Sequence, residues 1–349
     1  MSEKDNVVFD MDEAVIPVVP EDSSEVTATP TSPTPVQKQS FGAKIKGIIK
    51  KDVKKNWSIY LLFIPVFVFF FIFNYIPLAG LLMAFQDYNP FKGLWGSPWV
   101  GFDNFKQLFA DAQAWNALRN TLVMAGLNLT IGFIIPVFFA LLLSQVRWKP
   151  FKRVVQSISY MPNFVATVVI VTLLQQFLSD KGAITMIFVK LFGMEKQNLL
   201  ALNNPTFWFI NLFADSWQGC GYGAIVFVAA ISSVNNDLYE AASIDGANRI
   251  QQMFRITIPC IWPTFVTMFT LKVGLVFKSG FDKVLLLYMP TANLEYSDVL
   301  STYIYRLGLE SSGGYGITTA LGLFQSIIST ILLVFSNWLN KKLTNSSIY

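Results

Sequence analysis

Six polar or aromatic residues recur at intervals of three or four along an apolar stretch. They are Asn204, Trp208, Asn211, Asp215, Gln218 and Tyr222. This spacing places all six on one face of an α-helix. Carboxylates and amides hydrogen-bond sugar hydroxyls, and aromatic rings cover the apolar faces of pyranoses. The stripe therefore predicts a sugar pathway, with Asn211, Asp215, Gln218 and Tyr222 as candidate residues, or a helix–helix interface joined by polar contacts.

Lys272 is a second charged residue inside an apolar stretch. Charges within membrane spans are costly and indicate function. Asp215 and Lys272 each lie about 10 Å from the outer end of a predicted span, at about 1.5 Å per residue. One interpretation is an ion pair between them. The role of such a pair is then structural, or gating, or the binding of an anionic sugar.

The composition excludes several classes of protein. The chain has 349 residues, of which 53% are hydrophobic and 14% charged, with no histidine and two cysteines. Soluble domains carry about 25% charged residues, so this composition predicts a polytopic membrane protein without a His-ligated metal. A Gly-x-x-x-x-Gly-Lys-Ser/Thr phosphate loop is absent from the sequence, so energy for transport must come from a partner or an ion gradient. A membrane-embedded enzyme would need groups such as Asp215 and Lys272 as acid and base, and no motif supports it.

The hydrophobic pattern predicts an all-α membrane protein with six transmembrane helices, since each apolar segment is close to the roughly 20 residues that a span needs. The predicted spans are 58–85, 121–145, 158–179, 207–231, 258–278 and 317–338.

Lys and Arg counts orient these spans. With the amino terminus inside, the inner stretches carry 14 basic residues and the longer outer stretches carry 8. Six spans then return the carboxyl terminus to the same basic side. The prediction is a multi-pass protein of the cell membrane with both termini cytoplasmic.

The amino-terminal region divides into two segments. Residues 1–40 are acidic and then rich in Pro and Thr, which predicts a disordered cytoplasmic tail. Residues 41–56 alternate lysines with apolar residues at helical spacing. They predict an interfacial helix on anionic membrane lipid, or else a plain basic flank before the first span.

The inner connection 232–257, between the fourth and fifth spans, is longer than a passive connector needs. Asp237 with Glu240 fits a helix cap and capping box, and Gly246 is expected to end that helix with a sharp turn. A second amphipathic stretch leads to Pro259. The sequence therefore predicts two short helices joined at a glycine, which insert into another protein or form an interfacial hairpin.

Here the residues follow a family pattern. The pattern is Glu240-Ala241-Ala242, three residues that end in Asp245, then Gly246, nine residues, Ile256 and finally Pro259. With this pattern, the connection resembles the EAA loop of ABC importer permeases. The usual Ile-x-Leu-Pro is Ile256-Thr257-Ile258-Pro259 in this chain. Further resemblance to carbohydrate permeases, especially those for polysaccharide fragments and complex oligosaccharides in Gram-positive bacteria, lies in Asp87–Pro90, Trp95–Gly101, Asn104-Phe105 and Ala320–Ser326. It covers about residues 57–343, the predicted six-span domain.

The resemblance implies a transport subunit, not an enzyme, with an EAA coupling loop at 232–257. Its expected partners are a second homologous permease, two copies of a cytoplasmic ABC ATPase, an extracellular lipid-anchored sugar-binding protein and the carbohydrate; no nucleic acid is expected. ATP and magnesium are expected on the partner ATPase, and no cofactor in this chain. The alternative is an ion-coupled secondary sugar transporter, which would need repeated architecture and midplane ion sites.

Overall fold

A computed structural model describes residues 55–278, 280–289, 291–310 and 314–344. The predicted tail 1–40 lies outside these residues, as does nearly all of the predicted basic helix 41–56. The chain divides into two compact units, Met1–Phe69 and Phe70–Tyr349. In the first unit, the described residues form the beginning of the first apolar helix.

Within the described ranges the secondary structure is helical, apart from one isolated β-bridge between Gln86 and Trp99. Short π and 3-10 turns extend or connect several helices, such as Phe71–Tyr75, Ile76–Phe85, Met161–Phe164 and Met253–Thr257. The α-helices are α1 Trp57–Phe70, α2 Gly93–Gly96, α3 Asp103–Ala110, α4 Ala112–Gln145, α5 Lys149–Tyr160, α6 Thr167–Leu178, α7 Ala183–Phe192, α8 Thr206–Ser232, α9 Asn236–Ile244, α10 Arg249–Gln252, α11 Ile258–Gly274, α12 Phe281–Leu287, α13 Leu294–Ser297, α14 Leu300–Tyr305 and α15 Tyr315–Thr344.

Four helical stretches among the described residues are long and apolar enough to cross a membrane: Trp57–Phe85, Ala112–Gln145, Arg249–Gly274 and Tyr315–Lys342. Two bent pairs raise the number to six if each pair is one span. They are Lys149–Phe164 with Thr167–Phe192, bent by 95°, and Thr206–Ser232 with Asn236–Ile244, bent by 67°. The expected all-helical, multi-span class is confirmed at the level of four to six spans, and the number six stays a prediction.

The predicted third span, 158–179, straddles two helices. Helix α5 ends at Tyr160, Met161–Phe164 form a 3-10 turn, and α6 begins at Thr167. Pro162 occupies this turn and has no backbone N–H to continue an α-helix. The hydrophobic pattern runs across the break because the residues on both sides are apolar.

Helices α4 and α8 pack along their length, with α11 against both. Phe133 of α4 sits at the centre of this packing, and its ring lies edge-on to Phe227 of α8 at 6.0 Å and to Phe265 of α11 at 5.0 Å. Where α8 passes α5, a Cβ at Gly221 would fall 2.1 Å from the Ser159 carbonyl oxygen. Only glycine permits this separation of the two backbones.

The segment that contains α12–α14 is fixed by buried amide side chains. Asn120 of α4, which is fully buried, donates to the carbonyl oxygens of Glu295 and Asp298, both at 2.8 Å. These carbonyls lie at the end of α13, where intrahelical donors run out. Asn293 is also fully buried, and it donates to the Leu200 carbonyl at 2.6 Å.

We expect Asn120→Ala to lower the stability of the purified protein by about 2 kcal/mol, because the buried Asp298 carbonyl loses this donor and the Glu295 carbonyl keeps only Arg119. The thermal unfolding midpoint in detergent measures the effect. Gln113→Ala is the matched control, since Gln113 lies on the same helix with an exposed side chain. Equal midpoints for the two variants would contradict a role for Asn120 in fixing α13.

Candidate functional site

The first candidate site is the connection 232–257, which the structure forms as two short helices. Helix α9 begins after Asn235, whose side chain accepts a hydrogen bond from the Asp237 backbone N–H at 3.0 Å. The expected cap at Asp237 is therefore wrong by two residues, and Asp237 lies in the first turn. A capping box does occur, but at the start of α10, between Asn248 and Gln251.

Gly246 turns the chain between α9 and α10, as its position predicts. Its φ is +79°, in the left-handed region, and the Ala247 N–H donates to the Ala242 carbonyl at 2.9 Å. A Cβ at Gly246 would have no atom within 4 Å. Backbone conformation, rather than lack of space, therefore requires glycine at this turn.

Helix α9 has an inward and an outward face. On the inward face, the Tyr239 hydroxyl lies 2.9 Å from the Thr257 hydroxyl, and Ala242 is half-buried. The outward face carries Glu240, Ala241 and Ile244, and the Ile244 side chain is 87% exposed. The helix thus presents an acidic and apolar surface that no other described part of the chain covers.

The remaining predicted loop residues flank this surface. Asp245 is exposed beside the glycine turn, Ile256 is half-buried within the π turn, and Pro259 is exposed in the first turn of α11. The proline fits there because the first helical positions have no intrahelical acceptor for an N–H.

The second candidate site is a cluster around Asp215 in α8. One carboxylate oxygen of Asp215 accepts hydrogen bonds from Asn211 at 3.1 Å and from Asn128 of α4 at 3.3 Å. The other forms an ion pair with Lys283 of α12. Lys283 is only 5% exposed, so its charge depends on this carboxylate. The cluster joins α4, α8 and α12.

Lys283, rather than Lys272, is therefore the partner of Asp215. The Lys272 ammonium lies over the Phe133 ring, 5.7 Å from its centroid. In the described part of the chain, no carboxylate lies within 4 Å of Lys272. Lys283 was not among the candidate residues because the region between the predicted fifth and sixth spans, 279–316, was predicted to be an outer connection. The apolar run Val284–Leu287 beside it was a signal of burial.

The polar stripe of α8 makes contacts between helices along part of its length. The Trp208 indole donates to the Tyr296 carbonyl at 2.9 Å, and the Gln218 amide lies 3.4 Å from the Val165 carbonyl. Tyr222, at the far end, is exposed. The cavity beside Asp215 measures about 20 Å³, which is room for a water molecule. In this conformation it cannot hold a sugar ring.

A further cluster, absent from the sequence analysis, lies at the amino-terminal end of α4. The Arg119 guanidinium lies 5.0 Å from the Tyr296 ring centroid and donates to the Glu295 carbonyl at 3.0 Å. Nearby, Asp298 pairs with Arg306. Burial raises the pKa of the Asp298 carboxyl, although Thr302 and Arg306 oppose the shift. A cavity of about 290 Å³ opens here, lined by polar groups that include Gln113 and Glu295.

The described residues thus form a polytopic membrane protein. It has several membrane-length helices, a helix–glycine–helix connection with an uncovered surface, and a buried ion pair. The family model for the binding-protein-dependent transport system inner membrane component matches residues 132–345. The chain belongs to this family. It is therefore a multi-pass permease of the cell membrane, and the family is a transport component rather than an enzyme.

Individual relatives match nearly the whole chain. The polygalacturonan/rhamnogalacturonan transport system permease protein YteP of Bacillus subtilis (strain 168) is 38% identical over 306 residues, which are 88% of this chain and 94% of YteP. Protein LplB of the same strain is 36% identical over 90% of this chain and 97% of its own length.

A solved structure agrees with this chain in fold. It is a crystal structure of a bacterial ABC transporter involved in the import of the acidic polysaccharide alginate. One of its chains superposes with a TM-score of 0.76 at 37% identity, over 85% of this chain and 99% of that chain. The same transporter has been solved in complex with an alginate pentasaccharide-bound periplasmic protein.

The Asp215–Lys283 pair is open to a double-mutant test. We expect Asp215→Asn and Lys283→Met each to lower stability by about 3 kcal/mol, because each leaves a buried charge without its counter-charge. The double variant should lose less than the sum of the two, since it buries neither charge. Thermal unfolding in detergent gives all three values.

Lys272→Met is the control for this cycle. It removes a half-buried lysine that touches an aromatic ring rather than a carboxylate, so its cost should stay near 1 kcal/mol. Additive losses in the double variant would show that the pair does not hold α8 to α12.

Proposed function

We propose that this chain is one of two permease subunits of an ATP-driven ABC importer for acidic oligosaccharides or polysaccharide fragments. An extracellular lipid-anchored binding protein delivers the sugar, and two copies of a cytoplasmic ATPase supply the energy. The observation that carries the proposal is the structural match to the alginate importer over 99% of the matched chain. The relation to the permease named for polygalacturonan/rhamnogalacturonan supports the same class of cargo.

The proposed topology has six spans with both termini in the cytoplasm. Each of the two bent helix pairs then contributes one span, and connection 232–257, which contains α9, lies on the cytoplasmic side. Basic residues concentrate on that side, at Arg147, Lys152, Lys341 and Lys342 among others, which supports the orientation. The acidic tail 1–40 is then cytoplasmic as well.

In this proposal α9 is the coupling helix that docks on the ATPase. Its exposed face carries Glu240, Ala241 and Ile244, and Gly246 fixes the angle to α10. Tyr239 on the other face is held to Thr257, at the entrance to the fifth span. Movement of α9 by the closing ATPase pair would therefore reach α11 through Thr257 and α8 through the short link 233–235.

The proposed pathway runs past Gln218, Tyr222 and Lys272, while Asn211 and Asp215 hold Lys283 beside it. Tyr222 is exposed and can cover the face of a sugar ring. Lys272 is half-buried, and no described carboxylate lies within 4 Å of its ammonium, so it can attract the carboxylate of an acidic sugar. A second permease would supply the opposite wall of the pathway.

The subunit composition is tested by purifying this chain from its native membrane in mild detergent. A second permease, an ATPase and a lipid-anchored binding protein should accompany the wild type. Ile244→Glu should lose the ATPase but keep the second permease, because it puts a charge on the docking face. Leu191→Glu, at a similarly exposed leucine of α7, is the control and should keep both.

The recovered binding protein then identifies the cargo. Acidic oligosaccharides should bind to it, and neutral ones of equal length should bind at least tenfold more weakly. Uptake by vesicles that continues without ATP and follows an ion gradient would instead establish a secondary transporter. Recovery of the ATPase with Ile244→Glu at wild-type yield would contradict the assignment of α9.

Gly246 allows a separate test of coupling. Gly246→Val should abolish sugar-stimulated ATP hydrolysis and uptake, because a β-branched residue is strained at φ +79°. Gly246→Asn should retain much of both activities, since asparagine tolerates this conformation and the space around the Cβ is open. Both variants should reach the membrane at wild-type levels. Equal uptake by the two variants would show that the conformation of this turn does not matter.

A further inference from the structure

A cationic cavity of about 380 Å³ lies between the end of α4, helix α5 and the α9–α10 connection. Arg147, Lys152 and Arg249 contribute three positive charges to its wall. None of the described residues that line it is acidic. The rest of the lining is mostly polar, with amides such as Gln145 and Gln252. The chemistry of this wall suits a phosphate group, which accepts several charge-assisted hydrogen bonds at once.

The guanidinium of Arg249 has capacity for such a ligand. One of its nitrogens donates to the Gln145 carbonyl at 3.2 Å, which holds α10 against the end of α4. A guanidinium carries five N–H donors in a planar fork, so the other N–H groups of Arg249 can donate hydrogen bonds to an anion. The three like charges repel one another around the cavity, and an anion between them would offset that repulsion.

An apolar groove of about 250 Å³ lies one helical turn further along the same two helical stretches. On α4 it includes Leu141, one turn before Gln145, and on the other side it includes Met253, one turn after Arg249. Further along, Phe138 and Trp262 line it. Within one pair of helices, the wall therefore changes from cationic to apolar over a single turn.

Helix α5 places the cavity at the membrane surface. Phe151, Val154 and Ile158 share one face and are exposed, while Lys149, Lys152 and Arg153 occupy the other. The stretch Lys149–Phe164, which contains α5, is bent by 95° from the apolar stretch Thr167–Phe192 that follows it. An amphipathic, basic helix of this kind lies along the interface between lipid and water. The three cations then stand at headgroup depth, and the groove reaches acyl chains.

We propose that the cavity and groove together bind one anionic phospholipid of the inner leaflet. Its phosphate contacts Arg147, Lys152 and Arg249, and one acyl chain follows the groove past Leu141 and Phe138. Basic pockets between spans on the cytoplasmic side suit such headgroups. Because Arg249 opens α10, the bound lipid would tie the α9–α10 connection to α4. This site is separate from the proposed sugar pathway.

The test uses the complete transporter, purified in mild detergent, with mass spectrometry of the lipids that it retains. The wild type should retain phosphatidylglycerol in preference to phosphatidylcholine when it is offered vesicles of both. The double variant Arg147→Gln/Arg249→Gln should retain at least tenfold less phosphatidylglycerol. The control Arg153→Gln/Arg255→Gln removes the same charge from residues that do not line the cavity, and it should retain the wild-type amount.

A second variant fills the groove and leaves the cations in place. Leu141→Trp should also reduce phosphatidylglycerol retention, whereas glycerol phosphate should still protect the cavity from arginine-directed labelling. Retention unchanged in both variants would overturn the proposal. Loss in the arginine variant alone would show that the headgroup is bound without an acyl chain in the groove. A wild type that retains no phosphatidylglycerol, while glycerol phosphate still protects its cavity, would show that a soluble phosphate is the ligand. Wild-type retention by the isolated subunit but none by the assembled transporter would assign the groove to the second permease.

Discussion

Polar groups in an apolar surrounding must find hydrogen-bond partners within the protein. This constraint determines the structure of the segment with α12, α13 and α14, which the hydrophobic pattern did not predict. Helices α12, α13 and α14 are each seven residues or shorter, so most of their backbone groups lie near a helix end and lack intrahelical partners. Asn120, Asn293 and Thr121 supply those partners from buried positions. Without them the segment would have to unfold into water or leave buried carbonyls and N–H groups unpaired.

The same constraint explains how α8 can serve as the rigid part of a transport device. Asp215, a third of the way along α8, holds Lys283 and two amides, and Gly221 holds the middle of the helix close to Ser159. The carboxyl-terminal end continues through three residues into α9. From Asp215 to Ser232 the helix runs about 26 Å at 1.5 Å per residue. A displacement of α9 would therefore act on α8, which is anchored at this distance by the Asp215–Lys283 pair. Separating that pair costs free energy because both charges are largely buried.

Patterns that depend on local chemistry were predictable from the sequence, and patterns that depend on partners were not. The apolar helices follow from composition, and Gly246 follows from the need for positive φ at a sharp turn. The cap at Asn235 was missed because Asn235 and Asp237 are both good capping residues, and the choice between them depends on where α8 ends. Lys283 was missed because it becomes buried only when α12 packs against the other helices. The basic cavity combines residues about 100 positions apart in the sequence, so no local sequence pattern could predict it.

Exposed apolar side chains mean different things at different places in this molecule. On the surfaces of the long helices they face lipid, where exposure costs nothing. Ile244 and Ile250 are exposed on the short helices α9 and α10, among Glu240, Asp245 and Arg249. Charged residues beside both isoleucines in the sequence argue against immersion in the hydrocarbon core, and burying an isoleucine side chain is worth about 1.5–3 kcal/mol. A surface with this composition gains free energy when a protein partner covers it, and two such side chains flank the glycine turn that sets their relative direction. The turn at Gly246 therefore sets the shape of the same surface that binds the partner. In the proposed importer, a partner ATPase that binds this surface more tightly in one conformation would shift the attached spans toward that conformation.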